Sequence, residues 1–141
     1  EQLSSTADVT ILTGVNLDVD QGSVGGDATN AGTDGILIFR YLQNTPASLL
    51  TNGNVLAEDA QRTDSQEIID FLSDAESEFL DVDQGSVGGD ATNAGTDGIL
   101  IFRYLQNTPP FLLTNGNVLS EDAQRTNVQE IADFLNGFEP A

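Results

Sequence analysis

The sequence contains one long segment twice. Residues 17–72 and 80–135 align at an offset of 63 positions with 50 of 56 residues identical, and the opening stretch LDVDQGSVGGDATNAGTDGILIFRYLQNTP is the same in both copies. Duplication on this scale in a chain of 141 residues predicts two copies of one small structural unit. The six differences are Ala47/Pro110, Ser48/Phe111, Ala57/Ser120, Asp64/Asn127, Ser65/Val128 and Ile69/Ala132. The predicted layout is an N-terminal extension (1–16), repeat 1 (17–72), an acidic connector (73–79), repeat 2 (80–135) and a C-terminal tail (136–141).

Units of this size bury too little apolar surface for comfortable stability, so an additional stabilising device is expected. The chain has no cysteine and no histidine, which excludes disulfides and the usual zinc sites. A bound metal would therefore have oxygen ligands. The missing side chains also remove most nucleophile and base combinations, and we do not expect an enzyme.

The charge of the chain is strongly unbalanced. It carries 23 acidic residues against four arginines, for a formal net charge of −19. Such a surface repels nucleic-acid phosphates and anionic lipids, whereas it attracts divalent cations. A solvated acidic surface that serves solubility alone is the alternative. No apolar run is long enough to predict a membrane span.

Each repeat is predicted to form a loop, a helix, a turn and a second helix, which makes the fold mainly α. TDGILIFRYLQN is apolar on nearly every side, as in a short buried helix that ends before Pro46. LLTNGNVL has an Asn-Gly centre typical of a turn. RTDSQEIIDFLSD begins with Thr63 or Asp64 as a helix cap and has one apolar face.

The N-terminal extension differs from the repeats. Val9, Thr10, Ile11 and Leu12 are β-branched or apolar and are followed by Gly14, which predicts a short strand over 7–14. The strand would pair with the NGNVL segments of its own chain or would add to an edge in a neighbouring molecule.

The loop before the first helix has the residue types of a calcium site. Alternate oxygen-bearing side chains of one tight loop can surround a hard cation, and Asp18, Asp20 and Asp34 have that character. The loop is five residues longer than an EF-hand loop, and Asp27 and Asn30 are candidate ligands in the extra segment. The alternative is a set of Asp-Gly turns with helix caps. The equivalent candidates in repeat 2 are Asp81, Asp83, Asp90, Asn93 and Asp97.

LDVD…G…TDGILIFRYL followed by NGNVLAEDAQRTDSQEIIDFL resembles the dockerin-like, EF-hand-type calcium-binding repeats of secreted and cell-surface proteins of aquatic bacteria. The resemblance covers both repeats. It implies two bound calcium ions, held by Asp18, Asp20 and Asp34 and by Asp81, Asp83 and Asp97. It also implies an extracellular or cell-surface location.

Three functions remain open from the sequence. The first is a calcium-stabilised extracellular structural protein that self-assembles into a filament or matrix through the repeats and the N-terminal strand. The second is a dockerin-type adaptor that binds a cohesin-like partner. The third is a calcium-binding spacer without a specific partner.

Overall fold

A computed structural model describes residues 16–86 and 89–140, and this part of the chain is mainly helical. It contains no β-strand, only an isolated bridge between Val24 and Asp27. The α-helices are α1 (Ile36–Leu42), α2 (Ala47–Leu50), α3 (Ser65–Ala75), α4 (Ile99–Leu105) and α5 (Val128–Asn136). Three π-helical turns cover Ala31–Gly35, Glu76–Leu80 and Ala94–Gly98, and a 3₁₀ turn covers Pro110–Leu112.

The predicted first helix of each repeat corresponds to α1 and α4. In repeat 1, Asn30 caps the preceding π-helical turn by accepting a hydrogen bond from the backbone N–H of Gly32. The apolar residues that follow are buried at Leu37 and Ile38, and the helix ends at Leu42, before Pro46. This short helix is stabilised mainly by tertiary burial, because seven residues are too few for a stable isolated helix.

The second helix of each repeat starts at the predicted cap. Asp64 accepts hydrogen bonds from the N–H groups of Gln66 and Glu67, and Asn127 does the same in repeat 2. The end of α3 differs from expectation. The predicted acidic connector is helical, because α3 continues to Ala75 and passes directly into the turn Glu76–Leu80. The connector is therefore part of the folded structure and contributes Phe79 to the core.

The predicted N-terminal strand, with Val9 to Leu12, lies outside the described residues. Within residues 16–86 and 89–140, no helix has the length and hydropathy required to cross a lipid bilayer.

The two repeats pack against each other through the starts of α1 and α4. Gly35 lies against Phe102 and Leu105, and Gly98 lies in the same way against Phe39 and Leu42. One apolar core extends through both repeats and includes Leu17, Leu37, Ile38, Leu50, Ile68, Leu72, Phe79, Leu80, Leu100, Ile101, Leu113, Ile131 and Leu135. The repeats therefore complete each other's core, which explains how units too small to be stable alone can fold as a pair.

Candidate metal centre

The fold brings three aspartates together in each repeat. One carboxylate oxygen from each of Asp18, Asp20 and Asp34 lies within 4.8 Å of the other two, although Asp34 follows Asp20 by a long loop. The equivalent group in repeat 2 is Asp81, Asp83 and Asp97. We call these groups triad 1 and triad 2. Each triad could hold a metal ion.

Asp34 organises the loop around triad 1. Its Oδ1 accepts hydrogen bonds from the backbone N–H groups of Val19 (2.6 Å) and Asp20 (3.2 Å). Its Oδ2 accepts from the N–H of Asn30 (2.9 Å) and from Thr33 Oγ1 (3.2 Å). An ionised carboxylate has about four acceptor positions, and these donors can occupy all of them on Asp34. Asp34 therefore fixes the loop geometry, and its predicted role as the ligand that closes the coordination shell stays a prediction.

Asp20 joins the loop to a distant segment of the same repeat. Its Oδ1 accepts from Gly22 N–H (3.0 Å) and its Oδ2 from Ala57 N–H (2.8 Å). Its backbone carbonyl accepts from the N–H groups of Gln61 and Arg62. The segment between the turn and the second helix therefore forms one wall of the candidate centre. Two lone-pair positions on the Asp20 carboxylate remain for a ligand.

Asp18 carries the polar atom that the protein does not satisfy. Its Oδ1 is buried and has no hydrogen-bond partner within the described part of the chain, and the same is true of Asp81 Oδ1 in repeat 2. Buried carboxylate oxygens without a donor are rare in folded proteins and commonly contact an ion or water. Both atoms belong to the triads, so each copy of the loop indicates the same position for a cation.

The electrostatics of the triads agree with this placement. Burial, and next the charge of Asp20, raise the pKa of Asp34 to about 8. Burial and Asp83 raise the pKa of Asp97 to about 7. The pKa of Asp18 is raised for the same two reasons, burial first and Asp20 second. These carboxylates are costly to ionise together unless a positive charge is near.

The acidic candidates from the extra loop segment do not join the triads. Asp27 and Asp90 are exposed and belong to neither group of three. The side-chain oxygens of Asn30 and Asn93 accept hydrogen bonds from the N–H groups of Gly32 and Gly95, as helix caps do. The extra segment is thus exposed at Asp27 and contacts the triad through the backbone N–H of Asn30.

Two further residues of repeat 1 hold the loop in place and were not expected from the sequence. A Cβ on Gly22 would lie 2.7 Å from Ala57 Cβ and 2.9 Å from Ala60 Cα, so only glycine allows this close approach. The Asp59 carboxylate accepts hydrogen bonds from Ser23 N–H (2.7 Å) and Ser23 Oγ (2.9 Å). In the sequence, Asp59 is one acidic residue among many, and nothing there indicates that it holds the loop.

The arginines donate hydrogen bonds to backbone carbonyls. The Arg62 guanidinium donates to the carbonyl of Val19 (2.6 Å) and lies 3.9 Å from the ring centre of Phe71. Arg40 donates to the carbonyls of Leu50 and Asn52. Arg103 and Arg125 repeat these contacts, so the four arginines fix backbone segments.

No family model, curated protein or solved structure matches this chain. The dockerin-like resemblance therefore stays an expectation from the motif, and the chemistry of the triads has to be argued from their own geometry.

Proposed function

We propose that this protein is a calcium-stabilised extracellular structural protein that binds one calcium ion at each triad. The observation that carries the proposal is the buried, unpartnered Oδ1 of Asp18 and of Asp81 inside a group of three carboxylates. Calcium satisfies such atoms because it takes six to eight oxygen ligands and tolerates irregular geometry. Asp18 and Asp20 are the ligands with free lone pairs in repeat 1, and Asp34 holds the loop and adds negative charge.

The energetic argument favours a divalent cation over a set of ordinary turns. Two carboxylates within 4.8 Å of each other repel by about 3 kcal/mol at an effective dielectric constant near 20. Each triad contains three such pairs when fully ionised. Hydrogen bonds that hold the loop account for Asp20 and Asp34 but not for the buried, unpartnered Oδ1 of Asp18. A cation turns this repulsion into attraction, and at 100 times its Kd it adds about 2.7 kcal/mol per site.

The two sites are similar but not identical. Ser120 replaces Ala57, and its hydroxyl donates to Asp83 Oδ2 (2.9 Å), in addition to the backbone N–H bond that both repeats have. One more acceptor position of Asp83 is therefore used by the protein than of Asp20. We expect triad 1 to bind calcium more tightly than triad 2.

Calcium binding should be measured by isothermal titration calorimetry on chelator-treated protein. We expect two sites in the original chain and one site in each of the variants Asp18→Asn and Asp81→Asn, because the neutral amide loses most of its attraction for the cation while keeping its size. Far-UV circular dichroism in EDTA and in calcium reports whether the helices depend on the ion.

The control is the double variant Asp27→Asn plus Asp90→Asn, which removes two formal charges, one more than either single variant, from exposed positions of the same loops. It should keep both sites. The proposal fails if the original chain binds no calcium at millimolar concentration, or if Asp18→Asn still binds two ions.

The structural role extends to self-assembly, as the sequence led us to expect. Deletion of residues 1–14 tests the contribution of the predicted strand. We expect the truncated chain to bind two calcium ions but to lose filaments or large assemblies in electron micrographs and light scattering. Assemblies of unchanged size from the truncated chain would show that the strand is not needed for assembly. A calcium-binding protein without assemblies in either form would leave the adaptor and spacer functions.

A further inference from the structure

The interface between the repeats is reciprocal. A Cβ placed on Gly35 would lie 3.0 Å from Phe102 Cδ1, and a Cβ placed on Gly98 would lie 3.0 Å from Phe39 Cδ1. The same surface of each repeat thus contacts its copy, which is the isologous arrangement of a two-fold homodimer. Here the two partners belong to one chain.

A glutamate crosses this interface in each direction. The Glu76 carboxylate accepts hydrogen bonds from Tyr41 OH (2.7 Å) in repeat 1 and from Thr92 Oγ1 (3.2 Å) in repeat 2. Its equivalent, Glu139, accepts from Thr29 Oγ1 (2.8 Å) in repeat 1. The two threonine–glutamate contacts therefore have the same two-fold relation as the apolar ones, whereas Tyr104 OH donates to Asn136 Oδ1 (3.4 Å).

The chain links the repeats at only one of two equivalent places. Ala75 and Leu80 are joined by the π-helical turn between the repeats. Their equivalents are Phe138 and Leu17, which meet through a hydrogen bond from Leu17 N–H to the Phe138 carbonyl (2.9 Å). Repeat 1 and repeat 2 therefore form a closed pair, in which the second link is non-covalent. Use of this surface between molecules therefore requires the pair to open.

None of the six differences between the aligned repeats lies at these contacts, and the flanking residues that do differ, such as Ala75 and Phe138, are the same in every copy of the chain. Repeat 2 of a second molecule therefore offers repeat 1 the same contacts as repeat 2 of its own chain. We propose that it also forms between chains, with repeat 1 of one molecule packed on repeat 2 of a second copy in a domain-swapped dimer or an open series. Only the short connector favours the closed form, through an effective concentration in the millimolar range.

This inference deepens the self-assembly part of the proposed function and identifies the partner as a second copy of the chain. It does not depend on residues 1–14. Failure of domain swapping leaves both calcium binding and assembly through the N-terminal segment intact, because those have separate readouts.

The first test uses the unmodified chain. Protein unfolded in urea and EDTA is refolded by transfer to calcium buffer, at either a micromolar or a millimolar protein concentration. Size-exclusion chromatography with light scattering then gives the mass of the refolded species. We expect monomers from dilute refolding, and dimers and larger species from concentrated refolding that persist after dilution. Monomers alone at both concentrations would overturn the proposal. Oligomers that disappear when residues 1–14 are deleted would also overturn it, because such oligomers would form through the N-terminal segment and not through the repeat interface.

The second test uses two variants with complementary charges at the crossing contacts. One carries Glu76→Lys and Glu139→Lys, and the other carries Thr29→Glu and Thr92→Glu. In the closed form of the second variant, each new glutamate faces an original glutamate across the interface. In a swapped heterodimer, each new lysine faces a new glutamate. The remaining threonine–glutamate contacts of the heterodimer are the original ones. Native mass spectrometry after refolding the mixture should show heterodimers at least tenfold above either homodimer. A statistical mixture, or no heterodimer, contradicts the proposal.

Discussion

Replacement of Asp34 by alanine should lower the free energy of unfolding in calcium by roughly 4 kcal/mol, because three backbone N–H groups and one hydroxyl lose their acceptor together. An unpartnered buried donor costs about 1–3 kcal/mol, and the total stability of a domain is about 5–15 kcal/mol. Urea unfolding followed by circular dichroism measures the change. Asp97→Ala should have a similar effect, because Asp97 makes the same contacts in repeat 2.

The control for this prediction is Asp27→Ala in the same loop. Asp27 is exposed and lies outside the triad, so its removal should change the free energy of unfolding by less than about 0.5 kcal/mol. A cost at Asp27 as large as that at Asp34 would mean that the loop is organised around the exposed acid, and would contradict the geometry described above.

The sequence was sufficient to select the residues of the triads but not to assign their roles. Acids at alternate positions of a loop, with a further acid at the start of the next helix, predicted Asp18, Asp20 and Asp34 as one group, because a tight loop brings its two ends together. The contact between Asp20 and the Ala57 N–H was not predictable, because these residues are 37 positions apart and meet only after α1 and α3 pack. The position of Asp34 in the sequence indicated a ligand. Its second role, as the acceptor for several backbone N–H groups of the loop, is visible only in three dimensions.

The helical fold class was predictable from the apolar patterns and caps, but the extent of each repeat was not. Sequence identity stops at Leu72 and Leu135, where the neighbouring residues differ, so the connector looked like a separate acidic segment. The structure extends the correspondence to Glu76 and Glu139, which occupy equivalent contacts. Glu76 and Glu139 are the only identical pair in this stretch of the sequence, and a single matching glutamate in an acidic chain gives no detectable sequence signal.

The charge balance explains why a metal ion suits this fold better than arginine would. Within residues 16–86 and 89–140 the guanidinium groups hydrogen-bond to backbone carbonyls, and Arg62 and Arg125 also lie over aromatic rings. These contacts keep loops in position but provide little neutralisation at Asp34, whose pKa stays raised by burial and by Asp20. A small divalent cation would place two positive charges directly between the carboxylates of a triad.

The calcium-free protein should lose stability as the pH rises from about 4 towards 8. Burial and the neighbouring carboxylates raise the folded-state pKa of Asp34 from 3.8 to about 8 and that of Asp97 to about 7. Below pH 3.8 these groups are protonated in both the folded and the unfolded state, and their contribution to stability is complete. At higher pH the unfolded chain ionises while the folded protein keeps the proton. Each such group then costs about 1.4 kcal/mol per pH unit until the folded-state pKa is passed.

Calcium should reverse this dependence, because the cation and the protons compete for the same carboxylates. Urea midpoints measured between pH 5 and pH 8 should fall with pH in EDTA, whereas in calcium they should stay level or rise, with calcium affinity increasing over the same range. The double variant Asp34→Asn plus Asp97→Asn controls for the general repulsion of an acidic chain, which also weakens at low pH. We expect this double variant to be less stable, but its urea midpoint in EDTA should change less with pH. An unchanged slope would show that the pH dependence comes from the acidic surface and that the triads do not contribute to it.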